Sequence, residues 1–198
     1  MSKGTVTRQA VLEEAARVAS RVGLGGLTIG SLATATQLSK SGLFAHFQSK
    51  EALQLQLLDH TRARFIDLVV RPALHAPRGE PRVHELFGRW LAWVDGALPG
   101  GCLFVAASAE FDDQPGPVLD RLAQDQRDWL DTIAQVFRTG IAEGQFRPDA
   151  DPEQFAHDLH GVMLAFHHAS RLLGDPDAAA RATRAFEALL HAARPPAS

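Results

Sequence analysis

The chain has one cysteine, Cys102, in 198 residues. A single thiol excludes an intrachain disulfide, predicts a reducing interior and reads as a small core residue. No apolar run approaches the ~18–20 residues that a membrane span requires. The polar start MSKGTVTRQ predicts no signal peptide, so the expected location is cytoplasmic, with no membrane among the partners. A glycine-rich phosphate loop, an HExxH pair and an adjacent nucleophile and base are also missing. Neither an enzyme nor a cofactor is therefore predicted. There is no internal repeat and no low-complexity tract. Most telling, not one aspartate or glutamate stands between Thr28 and Ser49.

What is present fits a soluble globular chain: 45% apolar and 22% charged residues, enough for one large or two small domains. The formal net charge of −3 argues against a nucleic-acid binder until its distribution is considered. Residues 1–50 carry six basic groups (Lys3, Arg8, Arg17, Arg21, Lys40, Lys50) and two acids (Glu13, Glu14). The remainder carries 14 basic and 21 acidic groups. A basic head on an acidic body is the electrostatic footprint of a DNA reader joined to a second domain.

The stretch 28–57, TIGSLATATQLSKSGLFAHFQSKEALQLQL, organises that head. Thr28 is a candidate N-cap, and Ile29, Leu32 and Ala33 give a short helix one apolar stripe. After a break near Thr36-Gln37, Ser39 caps a second short helix whose apolar positions are Leu38, Leu43 and Phe47. Lys40, Ser41, Phe44, Ala45 and His46 form its mixed face. Two such helices make a helix-turn-helix, whose second helix enters the DNA major groove. A face meant for phosphates and base edges should lack carboxylates, and this one does.

The run Leu43-Phe44-Ala45-His46-Phe47-Gln48-Ser49-Lys50-Glu51-Ala52-Leu53 resembles the L-Y-x-H-F-x-S-K-E-x-L hallmark of the TetR family of transcriptional regulators. The upstream pattern Gly23, Leu27-Thr28, Leu32-Ala33, Leu38-Ser39-Lys40 fits as well, and together they cover about the first quarter of the chain. The resemblance implies an all-α protein: an N-terminal three-helix domain with a helix-turn-helix, and a C-terminal helical domain for ligand binding and dimerisation. We place the first at 1–48 and the second at 49–198. There are two departures. Phe44 stands where the family has a tyrosine whose hydroxyl contacts a phosphate, and Gln37 stands at a turn position usually held by glycine.

In chain order, residues 1–5 are expected to be a mobile arm. A helix over 7–21 follows, with Val11, Leu12, Ala15, Ala16, Val18, Ala19 and Val22 facing inward, and Gly23, Gly25 and Gly26 stop it. A long helix starts near Ser49 and runs toward Pro72. The next helices are expected over 82–97, 103–111 and 117–143. Asp151 and Pro152 open an eighth helix running to Gly174. Asp175-Pro176 opens a ninth, and the tail from Arg194 is expected to be disordered.

Lys50, Thr28 and Ser39 are the candidates for phosphate contacts, Lys40 and Ser41 for base reading, and Phe44 and His46 for backbone or a thymine methyl. The expected partner is a double-stranded, near-palindromic operator bound by a homodimer that forms, by the resemblance, through the eighth and ninth helices. Phe87, Trp90, Phe104, Trp129, Phe137 and Phe166, with His167 as a polar contact, suggest an apolar pocket for a hydrophobic or aromatic effector. Glu153, His157 and His160 share a helix face, but without cysteine or HExxH they predict no metal site. The function this supports is a ligand-responsive repressor. An activator or a nucleoid-type binder would carry the same head, and a small-molecule carrier or enzyme would lack any need for it.

Overall fold

The computed structural model describes residues 3–196, with side chains from Arg8 onward. Every regular element among them is helical. The chain forms two compact units, one made of residues up to Arg64 with Gly96–Asp125, the other of Phe65–Asp95 with Gln126 onward.

The first unit opens with α1 (Lys3–Val22), α2 (Ile29–Thr36) and α3 (Lys40–Phe47). Residues 3–5, expected as an arm, continue α1. Val11, Leu12, Ala15, Ala16 and Ala19 of α1 are buried with Leu32, Leu43 and Phe47 of the following helices, whereas Val22, expected inside, is exposed. Two short helices bury too little to stand alone. The long α4 (Lys50–Phe65) completes the core with Leu53, Leu57 and Leu58. Ser49 caps it by accepting the Ala52 N–H at 3.0 Å. This unit also takes in α7 (Leu103–Phe111) and the first turns of α8 (Pro117–Ala142). Asp125 of α8, almost wholly buried, accepts from Arg121 and pairs with Arg62 of α4 at 3.1 Å; Arg121 in turn reaches Asp59 at 2.6 Å.

In the second unit the helical run begun by α4 passes through a π-helical turn, Ile66–Val70, into α5 (Arg71–Ala73). Pro72 explains the widening, since its ring would clash with the carbonyl four residues back and it has no N–H to donate. The Arg71 N–H accordingly reaches the Ile66 carbonyl, five residues back. The other helices of this unit are α6 (Glu80–Gly96), the remainder of α8, α9 (Pro152–Arg171) and α10 (Ala178–Ala193), the last two packed on each other. Asp151 caps α9 by accepting the N–H groups of Glu153 and Gln154, with Pro152 in the first turn, as expected. Aromatic pairs fill the interior: Phe137 stacks on Phe146 at 4.3 Å and on Phe155 at 4.1 Å, and Phe87 stacks on Phe186 at 4.2 Å.

Arg194, expected to begin a loose tail, is instead fixed. Its guanidinium grips both carboxylate oxygens of Glu80, with Nε 3.1 Å from Oε2, and the Ala193 carbonyl accepts the Arg147 N–H at 2.8 Å. Ala197 and Ser198 lie outside the described residues. The Arg194 hydrogen bond, opposed by partial burial, holds the Glu80 carboxyl below the usual range, with the Arg194 and His84 charges assisting. A depressed carboxylate stabilises the fold above its unfolded-state pKa, and that contribution is lost as pH falls through the folded-state value. Arg194 is more than a third exposed, so the pair contributes only about 0.5–1 kcal/mol. Arg194→Ala should lower Tm at pH 7 by about 2–3 °C. In a pH series of thermal melts the difference should shrink toward zero below pH ~4. A difference that persists undiminished in acid would contradict this account.

Candidate nucleic-acid interface

Helix α3 is eight residues long, too short to hold itself, so its orientation is set by what it buries and how it is capped. Leu43 and Phe47 point inward and are fully buried. Truncating a buried phenyl such as Phe47 costs about 3–5 kcal/mol. Lys40, Ser41, Phe44 and Ala45 consequently face solvent together, and His46 is half-buried with its ring 6.2 Å from that of Phe47. Phe44 is 58% exposed. A phenyl ring has no polar atom to offer a phosphate, and more than half of this one lies open to solvent.

Hydroxyls set both helix starts. Thr28 accepts the Ser31 N–H at 3.0 Å while Ser31 Oγ accepts the Thr28 N–H at 3.1 Å, a reciprocal capping box with serine in place of the usual glutamate. Ser39 accepts the Gly42 N–H at 3.1 Å and lies 3.2 Å from Ser41 Oγ. The stem of Lys40 lies back along α2, since a Cβ on Gly30 would sit 3.7 Å from its Cε. Between the two helices Gln37 takes the left-handed conformation, φ 57° and ψ 27°, and its N–H closes α2 on the Ala33 carbonyl. This resolves the missing glycine: the turn keeps its usual geometry, and a glutamine bears the strain. Gln48, after α3, has φ 61°.

The turn from α1 to α2 is held by three side chains, none of which stands out in the sequence for this role. Gln54 donates to the Leu24 carbonyl at 3.0 Å, and Glu110 of α7 accepts the Gly25 N–H at 2.7 Å. Lys50 donates its ammonium proton to the Gly25 carbonyl. Three glycines in four positions, 23 to 26, were the available signal, legible in sequence only as a helix stop. Arg8, one of the basic groups of the head, is engaged by Gln56 Oε1 at 2.6 Å.

The aromatic set is not gathered in one place. Phe104 is buried in the first unit, while Phe87, Trp90, Trp129, Phe137 and Phe166 are buried in the second. There Trp90 packs against Phe166 at 6.1 Å, and Trp129 meets Phe65 edge-on at 5.0 Å. Trp93 is buried as well and meets Phe65 edge-on at 5.3 Å. The indole N–H groups of Trp93 and Trp129 and Nε2 of His167 are buried without a hydrogen-bond partner. Burial, and after it the charges of Arg171 and His168, lowers the His167 pKa and favours the neutral ring. Burial followed by His157 lowers that of His160. Among the described residues no group of histidine, cysteine, aspartate and glutamate side chains is arranged to hold a metal ion, and no helix is long and apolar enough to cross a membrane.

Two short capped helices with a carboxylate-free outer face, braced by a third helix, define a helix-turn-helix DNA-binding regulator. Residues 11–57 match the family model described as bacterial regulatory proteins, tetR family, and residues 79–186 match that of the tetracyclin repressor-like C-terminal domain. The chain belongs to the TetR family, whose members are transcriptional regulators and not enzymes. It is similar to the HTH-type transcriptional repressor KstR2 of Mycobacterium tuberculosis, 29% identical over 169 residues that span 81% of this chain and 80% of that protein. It is also similar to the repressor DhaR of Mycobacterium sp. strain GP1, 26% identical over 78% of this chain and 77% of the relative. A TetR regulator from Chloroflexus aurantiacus superposes with a TM-score of 0.85 at 26% identity, covering 96% of both chains. AibR, solved with isovaleryl coenzyme A and operator DNA, shares the fold at a TM-score of 0.71 and 20% identity, over 96% of this chain and all of AibR.

The strain at Gln37 is directly measurable. Gln37→Gly should stabilise the protein by about 0.5–1 kcal/mol, the left-handed penalty minus the entropy glycine adds to the unfolded chain. Urea denaturation should show a higher midpoint at unchanged slope. A lower midpoint would mean that the glutamine side chain, not the turn geometry, holds this corner.

Proposed function

We propose that the protein is a ligand-responsive repressor that binds a near-palindromic operator as a homodimer. The observation that carries this reading is the α3 outer face, Lys40, Ser41, Phe44 and Ala45, exposed together and free of carboxylates. Residues 1–48 read DNA and residues 49–198 regulate and dimerise, with the segment 96–125 bracing the head. Lys50, Thr28 and Ser39 hold phosphates at the starts of α4, α2 and α3, where helix N-termini favour anions. Lys40 and Ser41 read base edges, and Phe44 and His46 meet backbone or a thymine methyl. The repressor names of the relatives in Mycobacterium support the sign of regulation over an activator with the same head.

Dimerisation proceeds through α9 and α10. The support is an exposed, small and apolar surface on them, Gly161, Leu164, Ala165, Ala185, Ala188 and Ala192, with Leu172 and Leu173 just beyond α9. A twofold axis there would present two α3 helices about 34–36 Å apart, one turn of B-DNA. Such a protein works in the cytoplasm, where the DNA lies.

The effector is a hydrophobic or aromatic small molecule received in the second unit among Phe87, Trp90, Trp129, Phe137 and Phe166. The unpartnered N–H groups of Trp93 and Trp129 and the neutral His167 support a ligand that also carries a hydrogen-bond acceptor, because a buried donor without a partner costs about 1–3 kcal/mol. AibR supplies a precedent for a small molecule and an operator on one such fold.

A gel shift with the DNA upstream of its own gene tests operator binding. On that duplex and a scrambled one, anisotropy titrations at several salt concentrations should divide the lysines. Lys50→Ala should weaken both duplexes alike and reduce the salt slope by about 1, whereas Lys40→Ala should cost about 1–3 kcal/mol on the specific duplex alone. Equal losses for both variants on both duplexes would refute this division. For the effector, aromatic carboxylates that raise Tm should also release DNA. Stabilisers that leave DNA affinity unchanged would count against induction.

A further inference from the structure

The turn between α1 and α2 has the form of a receptor for one carboxylate. Glu110, near the end of α7, comes from the segment matched by the C-terminal family model, 85 residues from the Gly25 N–H that donates to it. Its Oε1 takes the Gly25 N–H at 2.7 Å, and its Oε2 is buried beside the same turn without a partner. The two glycines are there to admit it. A Cβ on Gly23 would lie 2.9 Å from Oε1, and one on Gly25 would overlap Oε1 outright. On the other side of Gly25, Lys50 donates to its carbonyl, so opposite charges hold both polar groups of one residue. Gln114 donates to the Glu110 backbone carbonyl at 2.6 Å and fixes the end of α7. A solvent-open cavity of about 520 Å³ adjoins this point, lined by Gly25, Lys50, Gln54 and Glu110 among others. There is room for the carboxylate to leave.

We infer that Glu110 is a positioning residue for DNA recognition: its carboxylate sets the α1–α2 turn and, through it, the register of Thr28, α2 and α3. The chain runs without slack from the clamped Gly25 to the Thr28 cap and Ile29, the first residue of α2. Freeing the clamp leaves the basic residues in place but unfixes the angle at which α3 meets the groove. The loss should therefore fall on sequence discrimination, which depends on base contacts, and not on electrostatic attraction, which does not. The inference rests on DNA binding by this head, and its failure is separable from failure of that reading.

The test uses the full-length protein with the upstream duplex and a scrambled duplex of equal length. Glu110→Ala should raise Kd for the specific duplex about tenfold while changing the scrambled value less than about twofold, so the specificity ratio falls. Glu110→Gln, whose carbonyl oxygen accepts the same N–H, should stay within about threefold of wild type. Gly25→Ala, which expels the carboxylate, should match Glu110→Ala, and the double variant should be no worse than either, since both remove one interaction. Hydrogen exchange on the free protein adds a readout independent of DNA. Protection of the Gly25 amide and of α2 should drop in Glu110→Ala, while α9 and α10 are unchanged. Additive losses, equal losses on both duplexes, failure of the glutamine to rescue, or unaltered exchange at Gly25 would each overturn the assignment. Wild type that binds neither duplex would overturn the DNA-binding reading instead, and the exchange data would still decide the clamp.

Discussion

Burial of Leu43 and Phe47 is the constraint on which the exposed face of α3 depends. An eight-residue helix gains little from its own hydrogen bonds, so two apolar anchors on one side decide which residues appear on the other. The backbone on either side absorbs the cost. Among the described residues the only non-glycine positions with positive φ are Gln37 and Gln48, and they flank α3 at its two ends. Strain gathered at the borders of a recognition element is what is expected when surrounding packing over-determines its pose.

Two cations of the head are oriented by neutral acceptors, whereas Arg17 lies 3.8 Å from Glu14 on the same helix. Arg8 is met by the neutral amide of Gln56, and Lys50 by a backbone carbonyl. Outside the helix-turn-helix, Arg121, Arg89 and Arg194 meet Asp59, Glu85 and Glu80. A neutral acceptor orients a cation without cancelling its field. The positive potential of the head therefore remains available to a polyanion, while the carboxylate-paired arginines tie helix to helix or brace a single one. Glu110 fits the same rule: it binds an N–H of the turn and leaves the lysine beside it facing a carbonyl.

Much of this was legible in the sequence, and the limits have physical causes. The helix over 103–111, the caps Thr28, Ser39 and Asp151, and the inward Leu43 and Phe47 follow from periodicity and hydroxyl or carboxylate placement, which are local. The continuation of α1 to Lys3 and the tethering of Arg194 were missed, the second because it depends on Glu80, 114 residues away in the chain. Long-range polar pairs leave no periodic trace. The π-helical turn was written in Pro72 but disguised, since proline in a helix normally signals its end. The aromatic set was visible as residue types only, and pairing each ring with a particular neighbour required the packed unit. The glycines at 23 and 25 mark a general lesson: a glycine cluster after a helix announces a stop, and only the structure shows that it is also a space kept for a side chain from elsewhere.

Phe44 shows how one departure changes the physics open to a proposed DNA contact. A tyrosine there would add a hydrogen bond to a phosphate, and a phenyl cannot. Whatever Phe44 contributes to binding must come from apolar area removed from water, at about 25 cal/mol per Å². That contribution would release no counterions and be insensitive to salt, whereas a phosphate contact from Lys50, as proposed, would act through counterion release and fade as salt rises. On the proposed reading, an exposed phenyl and a carbonyl-oriented lysine on neighbouring elements would divide affinity into a salt-independent and a salt-dependent part. The balance between them depends on how firmly α3 is seated.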